Sequence, residues 1–243
     1  MKGRILVAAA AIAAAIAFAT LLFLPRTVSG SLFQGPLPSI DAAQSKESSG
    51  EGGVDWDYWL GVNPEIVGWI TVPGTAIDGP VAQAPSGDST YYLSHDAHRN
   101  PSVAGCAYVD AACEGFDGLV SVVSGHHVTD GSVFSDLSLY LDRGFANDHR
   151  NVVLETPQRT FVATINGAEL ISGAQKAKRT QFATPEMMRA WYTTRVSGCD
   201  VVLHAGEPEH LGKALVLVTC ATSDPSDDRR VIVYCSIAES SEA

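Results

Sequence analysis

"LVLVTCATSDPSDDRRVIVYC", residues 215–235, sets two apolar runs around a polar, turn-forming loop. Both runs are short and rich in Val, Leu and Ile, which reads as buried strand rather than helix. The second run returns antiparallel alongside the first. Cys220 closes the first run, and Arg229 and Arg230 open the second. A cation at the start of the returning strand lies beside the Cys220 end of the pair. Two readings of Cys220 follow. Cysteine is among the most buried residue types, so it could be a small core residue. It also stands where a strand meets a loop, the kind of place where active residues concentrate.

Outward from this hairpin, further short β-branched stretches are bounded by turn residues. They are "IVGWITV", "GPVAQ", "GCAYVD", "GLVSVVSGH", "NVVLETP", "TFVATINGAELI" and "DVVLH". With the two runs above they make about nine strands. Trp56, Trp59 and Leu60 recur at helical spacing until Asn63-Pro64 breaks the pattern. Two other segments read as helices, residues 132–142 ("SVFSDLSLYLD") and 184–196 ("TPEMMRAWYTTRV"). In the latter Thr184 can cap, Pro185 suits the first turn, and Met188 and Trp191 repeat at i, i+3. Many strands, few helices and no regular βαβ alternation predict a mainly β fold, a closed or nearly closed barrel with helical insertions.

The termini have a different composition. Residues 5–25 run without a charge between Arg4 and Arg26. About 20 apolar residues span a bilayer as a helix, and a signal peptide has a shorter apolar core. Residues 5–25 therefore read as an uncleaved transmembrane anchor. Lys2 and Arg4 make residues 1–4 a cytoplasmic stub, which places the remainder outside the cell. Residues 26–53 are rich in Ser, Gly and Pro and read as a flexible extracellular spacer. The globular domain occupies residues 54–238, and residues 239–243 read as a disordered tail. The net charge of −11 over 243 residues presents no basic face for phosphate, so nucleic acid is not an expected partner.

A cysteine nucleophile needs a proton acceptor, usually histidine. Of the seven histidines, His126 and His127 follow Gly125 at the end of the strand-like "LVSVV". Glycine there lets the chain turn and clears space beside an imidazole. His95 and His98 read as loop residues, and His149, His204 and His210 have no motif around them. A metal shared by His126, His127 and Asp130 is awkward, because adjacent residues of extended chain point opposite ways. No metal and no cofactor is expected. The five cysteines show no CxxC spacing, and a Cys106–Cys113 bridge stays open. Alternation puts Arg229 and Arg230 on opposite strand faces; Arg229 reads as a solvated charge.

The order His, then Cys at the end of "VLVTC", then Arg opening the next strand resembles the sortases. These are membrane-anchored cysteine transpeptidases of the Gram-positive cell surface with the signature TLxTC. Leu217, Thr219 and Cys220 fit it, and Val216 replaces the first threonine. The segments "NPEIVGWITVPGTAIDGPVAQ", "YYLSHD", "GCAYVD", "SGHHVTDGSVFSDLSLYLD" and "VVLETP" resemble class B members. The helix at residues 184–196 resembles that class's insertion between two late strands. The resemblance covers nearly all of the globular part. It implies a β-barrel of about eight strands with peripheral helices, a size that a closed core of side chains can fill. It also implies Cys220 as nucleophile, His126, which directly follows the glycine, as general acid and base, and Arg230 as the donor to the substrate carbonyl or oxyanion. A backbone N–H near Cys220 would complete the oxyanion site. Leu93 matches a groove-lining leucine of the class, with an ordinary core leucine as the other reading, and Thr219, beside the cysteine, is taken with it as substrate-binding. The implied substrate is a C-terminal sorting signal, NPxTx-like, on surface or pilin proteins. The implied acceptor is an amine of peptidoglycan or of a pilin lysine. Two other readings of these residues stay open: a cysteine peptidase that releases the acyl group to water, and a non-enzymatic, surface-anchored β-barrel binding module.

Overall fold

The computed structural model describes residues 53–173, 178–203 and 211–238. The predicted stub, anchor, most of the spacer and the tail lie outside them. Among the described residues no helix is long and apolar enough to cross a membrane.

The described chain opens with helix α1 (Trp56–Val62). Asp55 caps it by accepting from the Tyr58 N–H at 3.0 Å, and Trp59 supplies its buried contact. Nine strands follow: β1 (Ile66–Thr71), β2 (Asp78–Gln83), β3 (Ala107–Val109), β4 (Val120–Ser124), β5 (Asn151–Glu155), β6 (Thr160–Ser172), β7 (Val201–Val202), β8 (Leu211–Cys220) and β9 (Arg229–Ala238). Their order in the sheet is β5-β1-β2-β3-β4-β8-β9-β6-β7, and β5 also pairs with β6. That last pairing closes eight strands into a ring, with β7 attached outside it on β6. Closure leaves no barrel edge unpaired, which a sheet this apolar requires. The ring is mixed: β2–β3 and β4–β8 run parallel and the other pairs antiparallel.

The core follows from the β-branched runs. Leu215, Val216, Leu217, Val231, Val233 and Tyr234 are all fully buried. Both faces of the β8–β9 hairpin are therefore covered, which explains why its runs are continuously apolar instead of alternating. Part of the cover is helix α3 (Pro185–Ser197), inserted between β6 and β7 as expected. Thr184 caps it by accepting from the Met187 N–H, and Met188, Tyr192 and Val196 at i, i+4, i+8 form its buried stripe.

The structure differs from the predicted helix at residues 132–142. Ser135–Leu141 is a 3-10 helix, followed by a short α-helix, α2 (Arg143–Asp148), that sequence did not signal. Phe134, Leu137 and Tyr140 are all buried. That spacing of three matches the three residues per turn of a 3-10 helix better than an α-helix. All five cysteines are free thiols, so Cys106 and Cys113 are not bridged.

Candidate active site

Strand register brings the site together. On the parallel β4–β8 pair, Ser124 stands opposite Val218, and the Gly125 N–H continues the ladder to the Val218 carbonyl at 3.1 Å. Two residues beyond that pair, on the two strands respectively, come His126 and Cys220. Because the strands run in the same direction, imidazole and thiol arrive side by side. On the antiparallel β8–β9 pair, Cys220 is directly opposite Arg230. The ends of three neighbouring strands thus bring His126, Cys220 and Arg230 into a row, where the buried middle of the β8–β9 hairpin gives way to partly exposed residues.

Phe134 donates its N–H to the His126 carbonyl at 3.1 Å and holds the backbone there. Gly125 is needed for this packing and not for a sharp turn. A Cβ on it would lie 2.9 Å from Val133 and 3.0 Å from Phe134, and its φ is not positive. The imidazole is half-buried. Its Nε2–H donates to the Leu93 carbonyl at 2.8 Å, which leaves Nδ1 as the nitrogen that can accept from the thiol.

The electrostatics separate Cys220 from its four siblings. Burial pushes Cys106 and Cys199 up to about 12 and raises Cys113 and Cys235 as well. Cys220 alone is lowered, chiefly by its hydrogen-bonding interaction with His126 and further by the positive charge of Arg230. Partial burial and the carboxylate of Asp227 oppose that shift. His126 is raised, first by Cys220 and then by the Leu93 carbonyl, against the cost of its own burial. Each partner stabilises the charged form of the other, which is the environment of a reactive thiol and not of a structural one.

Arg230 uses Nη1 on two backbone carbonyls, Asp228 at 2.8 Å and Arg229 at 2.9 Å. Among the described residues it has no carboxylate partner. Arg229, expected as a free solvated charge, is exposed but engaged: it grips Asp227 with Nε at 2.9 Å and Nη2 at 2.8 Å. The "DPSDD" loop is correspondingly structured, with Ser226 donating twice to Asp224. The Ala221 N–H, the backbone donor next to the thiol, is taken by the Arg229 carbonyl at 2.9 Å. In this conformation it is not available as the expected oxyanion donor.

Of the two implied substrate-binding residues, Leu93 is half-buried beside the site and touches His126 through its backbone carbonyl. Thr219 is 2% exposed, its hydroxyl has no hydrogen-bond partner, and alternation puts it on the strand face opposite Cys220. His127 lies apart in a bridge with Val133, and its Nδ1 is buried without a partner. His95 and His149 stack on Tyr91 and Phe145, and His98 bonds Tyr58. His204 and His210 fall outside the described residues.

Sequence reasoning missed a polar group at the end of β4. Tyr108 of β3 pairs with Ser124, and Lys178 reaches from the β6–α3 connection to donate to the Ser124 hydroxyl at 3.3 Å. Lys178 is exposed, yet desolvation of its ammonium against the barrel and the charge of Arg230 lower its pKa. A lysine in a connecting segment has no local signature, so only the fold reveals it.

The sortase domain family model matches residues 70–238. Sortase B of Listeria monocytogenes is 37% identical over 89 residues, 36% of this chain and 35% of that protein. The match thus spans about a third of the Listeria relative. Sortase B of Staphylococcus aureus is 24% identical over 180 residues, 72% of this chain and 71% of that protein. Among solved structures, the Staphylococcus aureus sortase B–substrate complex is similar with a TM-score of 0.67 and 21% identity, covering 76% of this chain and 85% of that one. Clostridium perfringens sortase B has a TM-score of 0.67 and 22% identity, covering 75% and 99%. The two solved structures support the fold, and the match of the family model over most of the described domain settles membership: the chain belongs to the sortase family.

Proposed function

We propose that this protein is a cysteine transpeptidase of the sortase B type. It cleaves an NPxTx-like sorting signal on secreted proteins and transfers the acyl group to an amine. The observation that carries this reading is the row His126–Cys220–Arg230 at the ends of three adjacent strands, with Cys220 the one cysteine whose pKa is lowered.

The geometry supports a specific sequence of steps. Cys220 passes its proton to Nδ1 of His126, and the thiolate attacks the carbonyl carbon of the scissile peptide bond. The developing oxyanion faces Arg230, whose permanent charge no carboxylate among the described residues neutralises. The imidazolium returns the proton to the departing amine as the C–N bond breaks, leaving a thioacyl-enzyme. An incoming amine then attacks the thioester and gives its proton to His126, and release of the product restores the thiol. Leu93 lies next to the imidazole and contacts the bound peptide. Residues 5–25 anchor the chain in one pass with the N-terminus in the cytoplasm, which supplies the extracellular setting that the substrates require. The amine belongs to a peptidoglycan cross-bridge or a pilin lysine.

The test uses the full chain in detergent with an NPxTx peptide and either oligoglycine or a lysine peptide, followed by mass spectrometry. We expect a thioacyl adduct on Cys220 and an amine-dependent product, both absent in Cys220→Ala. Adduct that decays only to free acid would make the protein a peptidase. A folded, reduced protein that forms no adduct would leave the binding-module reading.

A further inference from the structure

The nitrogen of His126 that meets the thiol is decided by a carbonyl, and that carbonyl is unusually well held. Leu93 ends the 3-10 turn Tyr91–Leu93. The middle residue, Tyr92, is fully buried and clamped at both ends. Its carbonyl accepts from the Cys106 N–H at 2.9 Å. Its hydroxyl accepts from Asn63 Nδ2 at 2.9 Å and donates to Glu65 Oε2 at 2.6 Å. Asn63, also fully buried, spends its other amide hydrogen on the Ala97 carbonyl at 2.9 Å and takes the Glu65 N–H on Oδ1 at 3.0 Å. A buried tyrosine and asparagine with their groups satisfied this completely hold one geometry.

Gly105 completes the clamp from the other side. Its φ is +64°, a conformation that favours glycine. A Cβ there would lie 2.4 Å from the Tyr92 carbonyl oxygen and 3.1 Å from that of Leu93. The close approach of Gly105 is therefore possible only without a side chain, and a side chain there would push on the Tyr92 carbonyl and crowd the Leu93 carbonyl that His126 uses.

We propose that Asn63, Tyr92 and Gly105 are positioning residues for the transpeptidation step: they fix the Leu93 carbonyl, which selects the Nε2–H tautomer of His126 and aims Nδ1 at Cys220. This rests on His126 being the acid–base residue. With the other tautomer, Nδ1 would carry the hydrogen and could not accept the thiol proton. The carbonyl also supports the imidazolium once it forms, since its Nε2–H remains a donor.

The experiment is long-range 1H–15N NMR of the histidine-labelled full chain in detergent, which distinguishes the two tautomers without any turnover, together with kcat and KM for peptide transfer. We expect neutral wild-type His126 in the Nε2–H form. Gly105→Ala displaces the carbonyl and mixes the tautomers, lowering kcat about ten- to a hundredfold with little change in KM, the scale set by a misplacement of about 1 Å. Tyr92→Phe keeps the buried ring, loses the hydroxyl clamp and shows a smaller shift in the same direction; it decides the matter if Gly105→Ala does not fold. A wild-type Nδ1–H tautomer, or folded variants with unchanged tautomer and kcat, would overturn the proposal. Absence of a Cys220 adduct in the wild type would instead remove the transpeptidase reading while leaving the tautomer measurement intact.

Discussion

Two arginines act around strand β9, and their surroundings are opposites. Arg195 of α3 meets Glu169 of β6 and Tyr234 of β9. Glu169, 8% exposed, pairs with the guanidinium and accepts from the Tyr234 hydroxyl at 2.6 Å, while Arg195 Nε donates to that hydroxyl at 3.1 Å. Arg230, at the start of the same strand, is anchored among the described residues only by backbone carbonyls. Of the two carboxylates just before it in sequence, Asp228 accepts from the Ser172 hydroxyl at 3.2 Å, and Asp227 is held by Arg229 and kept well below the usual carboxylate range by that pairing. A matched charge ties a helix to the sheet. A charge beside a thiol without a carboxylate partner among the described residues suits the oxyanion role proposed for Arg230.

This contrast can be broken most sharply at Arg230. Arg230→Ala should lower kcat about 10²- to 10³-fold, as loss of an oxyanion donor does, with the melting temperature nearly unchanged. Arg230→Lys should recover only part of the rate, because it restores the charge without the planar fork. Equal loss of rate and stability would mean that Arg230 is structural. Arg195→Met should do the reverse. It strands the Glu169 carboxylate and should cost about 2 kcal/mol in denaturant unfolding, below the range for a fully buried pair because Arg195 is partly solvated. Turnover per folded molecule should not change, and a rate defect there would show that the two regions are coupled.

The smallest effect sharpens the electrostatics. His126 is the main cause of the lowered Cys220 pKa. A lowered thiol pKa means more thiolate at a given pH, so alkylation of Cys220 should begin at lower pH in the wild type than in His126→Gln. Reciprocally, Cys220→Ala should lower the pKa of His126, because the thiol interaction is what raises it most. Coincident alkylation curves for wild type and His126→Gln would deny the pairing.

Much of this was legible beforehand, and the reason is local. Nine strands were readable because β-branched runs and turn residues are written along the chain, and α3 because Thr184, Pro185 and the Met188 stripe are contiguous signals. Residues 132–142 were misread because an apolar spacing of three suits an α-helix nearly as well as a 3-10 helix, and only burial of Phe134, Leu137 and Tyr140 together distinguishes them. Thr219 is adjacent to Cys220 in sequence yet buried on the opposite face of the strand, which sequence adjacency does not reveal.

By itself, then, the sequence determined a barrel of short strands and a Cys, a His and an Arg at strand ends, since these depend on residue type and neighbours. Only the tertiary structure decided that β4 runs parallel to β8 in a register bringing His126 to Cys220, that Leu93 enters through its carbonyl, and that Lys178 reaches Ser124. Those facts depend on pairings between residues as much as about 90 positions apart, such as Ser124 and Val218. Non-local pairing is selected by the packing of the whole barrel and leaves no mark on any one segment.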